Sequence, residues 1–110
     1  MTIRKAILIN TTGAPKIFDY DFHNFDCSKI LKTKYTDGKS ITWLDDEGYK
    51  LAIICKDLFE KNDEYNHIAS LIGFTNFCGP CILVDDEIDL TFDDLSKIIN
   101  LSKNFDMAKY

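Results

Sequence analysis

The sequence predicts a single α+β domain over residues 1–110, with a small mixed or antiparallel sheet of hairpins and two or three helices, the last of them C-terminal. Three observations lead there. Short apolar runs, some strictly alternating, recur along the chain and are each closed by a turn signal, as the strands of a small sheet require. Two later stretches carry apolar residues three and four apart, the period of a helix buried on one side. The strands come as hairpins with helices between them, not as single strands alternating with helices, which argues against a doubly wound parallel sheet. A chain of 110 residues that is 45% hydrophobic and 28% charged can bury one modest core and does not have a disordered composition.

Taken in order, Arg4 to Asn10 forms the first strand and Thr11-Thr12-Gly13-Ala14-Pro15 turns the chain. Lys16 to Phe22 alternates Phe18, Tyr20 and Phe22 with Asp19 and Asp21, so it reads as a strand with one wet face, paired with the first as a hairpin. Asp26 caps a short helix through Lys32 whose apolar side is Cys27, Ile30 and Leu31. Asp37-Gly38 reads as a turn. Ser40 to Leu44 and Tyr49 to Cys55 then make a second hairpin across Asp45-Asp46-Glu47-Gly48.

From Leu58 a loop leads into a helix containing His67, Ile68, Leu71 and Ile72, with Gly73 as its stop. Cys78 to Val84 is a buried strand closed by Asp85-Asp86-Glu87. Thr91-Phe92-Asp93-Asp94 resembles a capping box with Asp in the usual Glu place, and it opens a helix on Leu95, Ile98, Ile99 and Ser102.

One stretch announces a chemistry. Cys78-Gly79-Pro80-Cys81 spells CGPC, the tetrapeptide of thioredoxin-like active sites, where the first Cys sits at a helix N-terminus that stabilises its thiolate. Here the apolar, β-branched run Cys81-Ile82-Leu83-Val84 follows instead, and too little chain remains for the rest of a thioredoxin core. The segment therefore reads as a tight turn entering a strand, with a CxxC thiol oxidoreductase as the last of three functional readings. Two metal readings are also available. His23, Cys27, Cys78 and Cys81 have the residue types of a tetrahedral zinc site but only one familiar tight pair, and Cys55 lies in an apolar run as a core residue. Asp45-Asp46-Glu47 with Asp85-Asp86-Glu87 and Asp89 offer oxygens to a hard cation but lack calcium-loop spacing. No metal and no cofactor is expected.

The apolar stretch at the N-terminus is too short for a signal peptide and no run is long enough to cross a bilayer, so the expectation is a cytoplasmic protein with its four cysteines as thiols. A net charge of −5 argues against duplex nucleic acid, whose phosphates need clustered Lys and Arg. Charge is unevenly spread: Lys29, Lys32, Lys34 and Lys39 lie close together, whereas all charged residues from 83 to 96 are acids. Neither His23 nor His67 stands in a nucleophile motif, and no phosphate-binding glycine loop is present, so an enzyme is not the favoured class. Tyr65, Phe74 and Phe77 surround the CGPC turn and Trp43 lies near the second hairpin. They are core residues or, where exposed, a stacking platform.

The order of these features resembles the domain of unknown function family numbered 3846, found in phages, large DNA viruses and mobile elements. The resemblance rests on the N-terminal strand, Trp43-Leu44-Asp45-Asp46-Glu47-Gly48, Asn66-His67-Ile68-Ala69, Ile72-Gly73, Cys81-Ile82-Leu83-Val84-Asp85-Asp86 and Asp89-Leu90-Thr91-Phe92-Asp93-Asp94-Leu95. It is best over residues 66–101, and it departs at Cys78 to Cys81, where the family has no CxxC. It implies a small accessory protein acting in the cytoplasm of a host cell, with antagonism of a host defence as an associated role.

Two binding functions follow as expectations. The first is stoichiometric inhibition of a host protein through an acidic strip of Asp85, Asp86, Glu87, Asp89, Asp93 and Asp94. The second is sequestration of a nucleotide-derived signal in a pocket at an oligomer interface, with Lys29, Lys32 or Lys34 on phosphate and Trp43, Phe74 and Phe77 stacking. A membrane partner is not expected.

Overall fold

A computed structural model of the chain describes residues 3–22, 30–31, 33, 36–56 and 63–104. The fold is α+β: among the described residues, a five-stranded antiparallel sheet with two complete helices, the second of them C-terminal, and a helical Ile30 and Leu31. The strands are β1 (Ile3–Ile9), β2 (Lys16–Asp21), β3 (Thr36–Ile41), β4 (Leu51–Lys56) and β5 (Cys81–Asp85), and the helices are α1 (His67–Gly73) and α2 (Phe92–Asn104). Among the described residues no helix is long and apolar enough to cross a membrane.

The first expected hairpin is present as β1–β2. The second is present as β3–β4, but its first strand is Thr36–Ile41 and not Ser40–Leu44, so Thr42 to Leu44 belong to the connection, and β5 joins the hairpins in the order β2-β1-β5-β4-β3. β5 runs antiparallel to both neighbours, with Leu83 facing Ile7 on one side and Ile53 on the other. All five of its residues are buried, as befits a strand covered on both faces.

Alternation then assigns the side chains. Ile7, Ile9, Leu51, Ile53, Cys55, Cys81 and Leu83 share the face that also packs Ala69 and Ile72 of α1 and Leu95 and Ile98 of α2. Ala6, Ile82 and Val84 form a smaller cluster on the opposite face with Leu31, flanked by Phe18, Tyr20 and Ile54. Phe18 and Tyr20 thus lie on one side of β2, as the Phe-Asp-Tyr-Asp alternation predicts.

Three local readings change. Asp37-Gly38 is not a turn but lies inside β3, where Asp37 faces Cys55 and Gly38 faces Ile54. The buried strand begins at Cys81 instead of Cys78, and Cys78 makes an isolated antiparallel bridge with Tyr65. Helix α1 does include Gly73 as its last residue, but the left-handed position that ends it belongs to Phe74, at φ 54°. Gly73 is required for another reason, because a Cβ there would lie 2.5 Å from Cε2 of Phe77. Of the helix expected over residues 26–32, only Ile30 and Leu31 fall among the described residues.

Candidate functional site

The acids gather at one end of the sheet. Leu51 opens β4 opposite Asp85, which closes β5, so the connection before β4 and the connection after β5 leave the sheet side by side. The first carries Asp45-Asp46-Glu47 as one turn of 3₁₀ helix, closed by Gly48 at φ 87°. The second carries Asp86, Glu87 and Asp89 and runs into the start of α2 with Asp93 and Asp94. A backbone bond from Asp86 N–H to the Lys50 carbonyl, 3.1 Å, joins the two. The two acid runs are therefore neighbours in space, which their separation along the chain does not reveal.

The acids of the expected strip have different duties. Asp85 is 1% exposed, and its carboxylate accepts the backbone N–H groups of Lys50 (2.8 Å), Glu87 (2.8 Å) and Ile88 (3.0 Å). It organises the turn and offers nothing to a partner. Asp89 accepts the Lys5 N–H at 2.8 Å, and the Leu90 N–H returns to the Lys5 carbonyl at 3.0 Å, which lashes this loop to β1. Asp86, Glu87 and Asp93 are exposed, and their carboxylates make no hydrogen bond or ion pair among the described residues. Ile88, 36% exposed, and Phe92, 52% exposed, stand beside them in the chain.

Asp94 completes the capping box. It accepts the Thr91 N–H at 2.9 Å and hydroxyl at 3.0 Å, while its own N–H donates to the Thr91 hydroxyl at 3.1 Å. It also accepts the Tyr49 hydroxyl at 2.9 Å. Burial works against ionisation of Asp94, but the Thr91 and Tyr49 hydrogen bonds and the Lys97 charge outweigh it and hold the carboxyl below the usual range. Burial, then the bond to Asp94, pushes Tyr49 up to about 12.

A depressed carboxyl stabilises the fold above its unfolded value of about 3.9, and the contribution is lost as the pH falls through the folded value. Asp94→Asn should thus cost about 1 kcal/mol at pH 7 through the weakened cap and helix-dipole interaction. Urea denaturation of both proteins should show that gap closing as the pH falls below the ordinary carboxylate range and wild-type Asp94 takes up its proton. A gap independent of pH would show that the charge contributes nothing.

Between the two acid runs lies a shallow concavity of about 180 Å³, lined by Ser40, Ile41, Thr42, Asp45, Lys50, Leu51 and Asp86. Lys50 Nζ stands 4.0 Å from Asp45 Oδ1 across it. This is well below the roughly 300 Å³ at which small-molecule pockets begin, and it presents carboxylates where a phosphate would need cations. The aromatics expected to stack on a nucleotide are otherwise engaged. Phe77 is 1% exposed and belongs to the core, which corrects its reading as a platform residue. The Trp43 indole N–H donates to the Ile72 carbonyl at 2.8 Å, and its ring packs on Phe74 with centroids 4.9 Å apart. Lys29, Lys32 and Lys34 lie outside the described residues.

The CGPC segment is a turn held from both sides. Gly79, at φ 75°, donates its N–H to the Glu64 carbonyl at 2.7 Å, and its own carbonyl accepts the Asn66 side-chain amide at 2.9 Å. A Cβ at Gly79 would come 3.3 Å from Asp63 Oδ1, whose carboxylate accepts Lys56 Nζ at 2.7 Å. Strand β5 follows, not a helix. Cys81 is fully buried and burial pushes its thiol up to about 12, which disfavours the thiolate that a redox nucleophile requires. Cys78 and Cys81 are not joined in a disulfide.

His23 and Cys27, the other half of the zinc reading, lie outside the described residues. Among the described residues, no three His, Cys, Asp or Glu side chains converge as a metal site, and the acids of the two turns share an end without meeting at a point. His67 is exposed at the start of α1, edge-on to Tyr65 with ring centroids 4.7 Å apart.

No protein-family model, curated protein or solved structure matches the chain.

Proposed function

We propose that this chain works by stoichiometric binding, its acidic end docking on a basic surface of a partner protein. The observation that supports this reading is the set Asp86, Glu87 and Asp93: exposed carboxylates with no side-chain partner among the described residues, alongside the exposed apolar side chains of Ile88 and Phe92. Unpaired like charges repel one another within the fold, and an opposite surface relieves that repulsion while speeding encounter. Apolar side chains among the charges supply the anchor that charge alone does not. In the setting that the family resemblance implies, the partner is a component of a host defence and the chain acts in the host cell's cytoplasm.

The reading is tested with the triple variant Asp86→Lys, Glu87→Lys, Asp93→Lys. These side chains make no hydrogen bond or ion pair among the described residues, but Asp93 lies in the first turn of α2, where the helix dipole favours an acid, so the variant should lose no more than about 1 kcal/mol and melt within about 8 °C of wild type. A host protein crosslinked to the wild-type chain should bind the variant at least about tenfold more weakly, and its affinity for wild type should fall as salt rises. Equal affinity for the two proteins, or affinity indifferent to salt, would reject docking through this surface.

A further inference from the structure

Among the described residues the sheet ends in a strand whose outer edge is open. Among the described residues β3 pairs only with β4, and Thr36, Asp37, Gly38, Lys39 and Ser40 are all exposed. An outer strand of this kind presents a row of backbone N–H and C=O groups to any strand that can align with it. Exposed edges are commonly guarded by charge, and Lys39 alone would repel a second copy. Asp37, two positions before it, reverses that effect in one register.

Symmetry alone restricts how two such edges can pair. Two copies that pair edge to edge in a continuous antiparallel sheet are related by a two-fold axis perpendicular to the sheet. Such an axis maps each face onto itself, so one residue must lie opposite its own copy, and opposing residues differ by an even number of positions. Centred on Asp37 the register sets Asp37 against Asp37, and centred on Lys39 it sets Lys39 against Lys39. Centred on Gly38, it sets Asp37 against Lys39 of the other copy twice over, with Thr36 against Ser40 on the opposite face. Gly38 on the axis brings no side chain to collide with its copy, and nothing lies within 4 Å of where its Cβ would be.

Asp37 and Lys39 oppose Cys55 and Ile53 of β4, so both reciprocal ion pairs would lie on the helix-bearing face. Neither side chain has a hydrogen bond or ion pair among the described residues. The other end of the sheet lacks this match: in β2, Lys16 lies an odd number of residues from both Asp19 and Asp21, so no two-fold register opposes them.

We propose that β3 is a self-association edge, where a second copy of this chain pairs antiparallel in the register centred on Gly38, with Asp37 and Lys39 exchanging ion pairs across the axis. The pairing extends the sheet to ten strands with α1 and α2 of both copies on one side. Five residues from each copy bury less than a standard interface, so the dimer is weak, with a dissociation constant on the order of 100 µM.

Sedimentation velocity of the full chain from about 10 µM to about 1 mM spans that range. Wild type should pass from monomer to dimer, less readily at high salt. Asp37→Lys and Lys39→Asp each place like charges opposite one another in both pairs, and each should weaken dimerisation at least about tenfold. An equal mixture of the two variants restores both opposite-charge pairs, and it should dimerise like wild type. The double variant Asp37→Lys, Lys39→Asp should do so on its own. These side chains are exposed, so circular dichroism melts of all variants should agree with wild type to about 3 °C. A wild type that stays monomeric at about 1 mM, single variants that dimerise as it does, or a folded mixture that stays monomeric would each overturn the proposal.

Discussion

Asn66→Ala should destabilise the protein by about 3–5 kcal/mol and lower its melting temperature by roughly 15 °C. Asn66 is 1% exposed and uses its whole side chain. Its amide donates to the carbonyls of Ile9 (3.0 Å) and Gly79 (2.9 Å), and its Oδ1 accepts the Ala69 N–H at 3.0 Å as the N-cap of α1. Its backbone N–H reaches the Phe77 carbonyl at 2.8 Å. One residue thus ties the end of β1, the CGPC turn and the start of α1 together.

Alanine removes a cap worth about 1 kcal/mol and deprives two carbonyls of their donor at about 1–2 kcal/mol each. Asn66→Asp is the sharper control. It keeps an acceptor for Ala69 but points a second oxygen at the two carbonyls, so at pH 7 it should cost at least as much as alanine. Urea denaturation measures both, and a loss below about 1 kcal/mol for alanine would mean that water replaces the amide and the tie is not structural.

Asp85→Ala should cost about 3 kcal/mol, since three backbone N–H groups lose a charged acceptor beside a buried strand. Asp85→Asn should fall between, at about 2 kcal/mol, because one amide oxygen can serve part of the set while its NH₂ faces a donor. The comparison with the exposed acids matters for function. Loss of partner binding in Asp85→Ala would reflect a loosened turn and would come with a strongly lowered melting temperature, whereas loss in the Asp86, Glu87, Asp93 triple variant should come with only the small drop that reversing the first-turn charge of Asp93 causes. If Asp85→Ala melts like wild type, the carboxylate is not the organiser of this end of the sheet.

Much of the fold is legible in the chain because burial imposes a period. β1, β2, β4, β5 and α2 lie within a few residues of their expected places, since each has a face that must be apolar. β3 has only Ile41 buried, so it carries no apolar period, and its Asp-Gly pair imitates a turn. Pairing with β4, a long-range interaction, overrides that local preference. Phe77 illustrates the converse. Nothing in Phe74-Thr75-Asn76-Phe77 says which ring goes inside, and the close approach of Gly73 to Phe77 decides it.

By itself the sequence determined the fold class, the first hairpin, the capped C-terminal helix and the reading of CGPC as a turn, because backbone propensity, alternation and local hydrogen bonding act between near neighbours. It also named the acids. Only the tertiary structure decided that β5 lies between the hairpins, that the two acid runs therefore meet at one end, and that Asp85 serves the turn while Asp86, Glu87 and Asp93 face outward. The reason is physical: a carboxylate's role depends on which N–H groups surround it, and at Asp85 one of these, from Lys50, comes from a distant part of the chain.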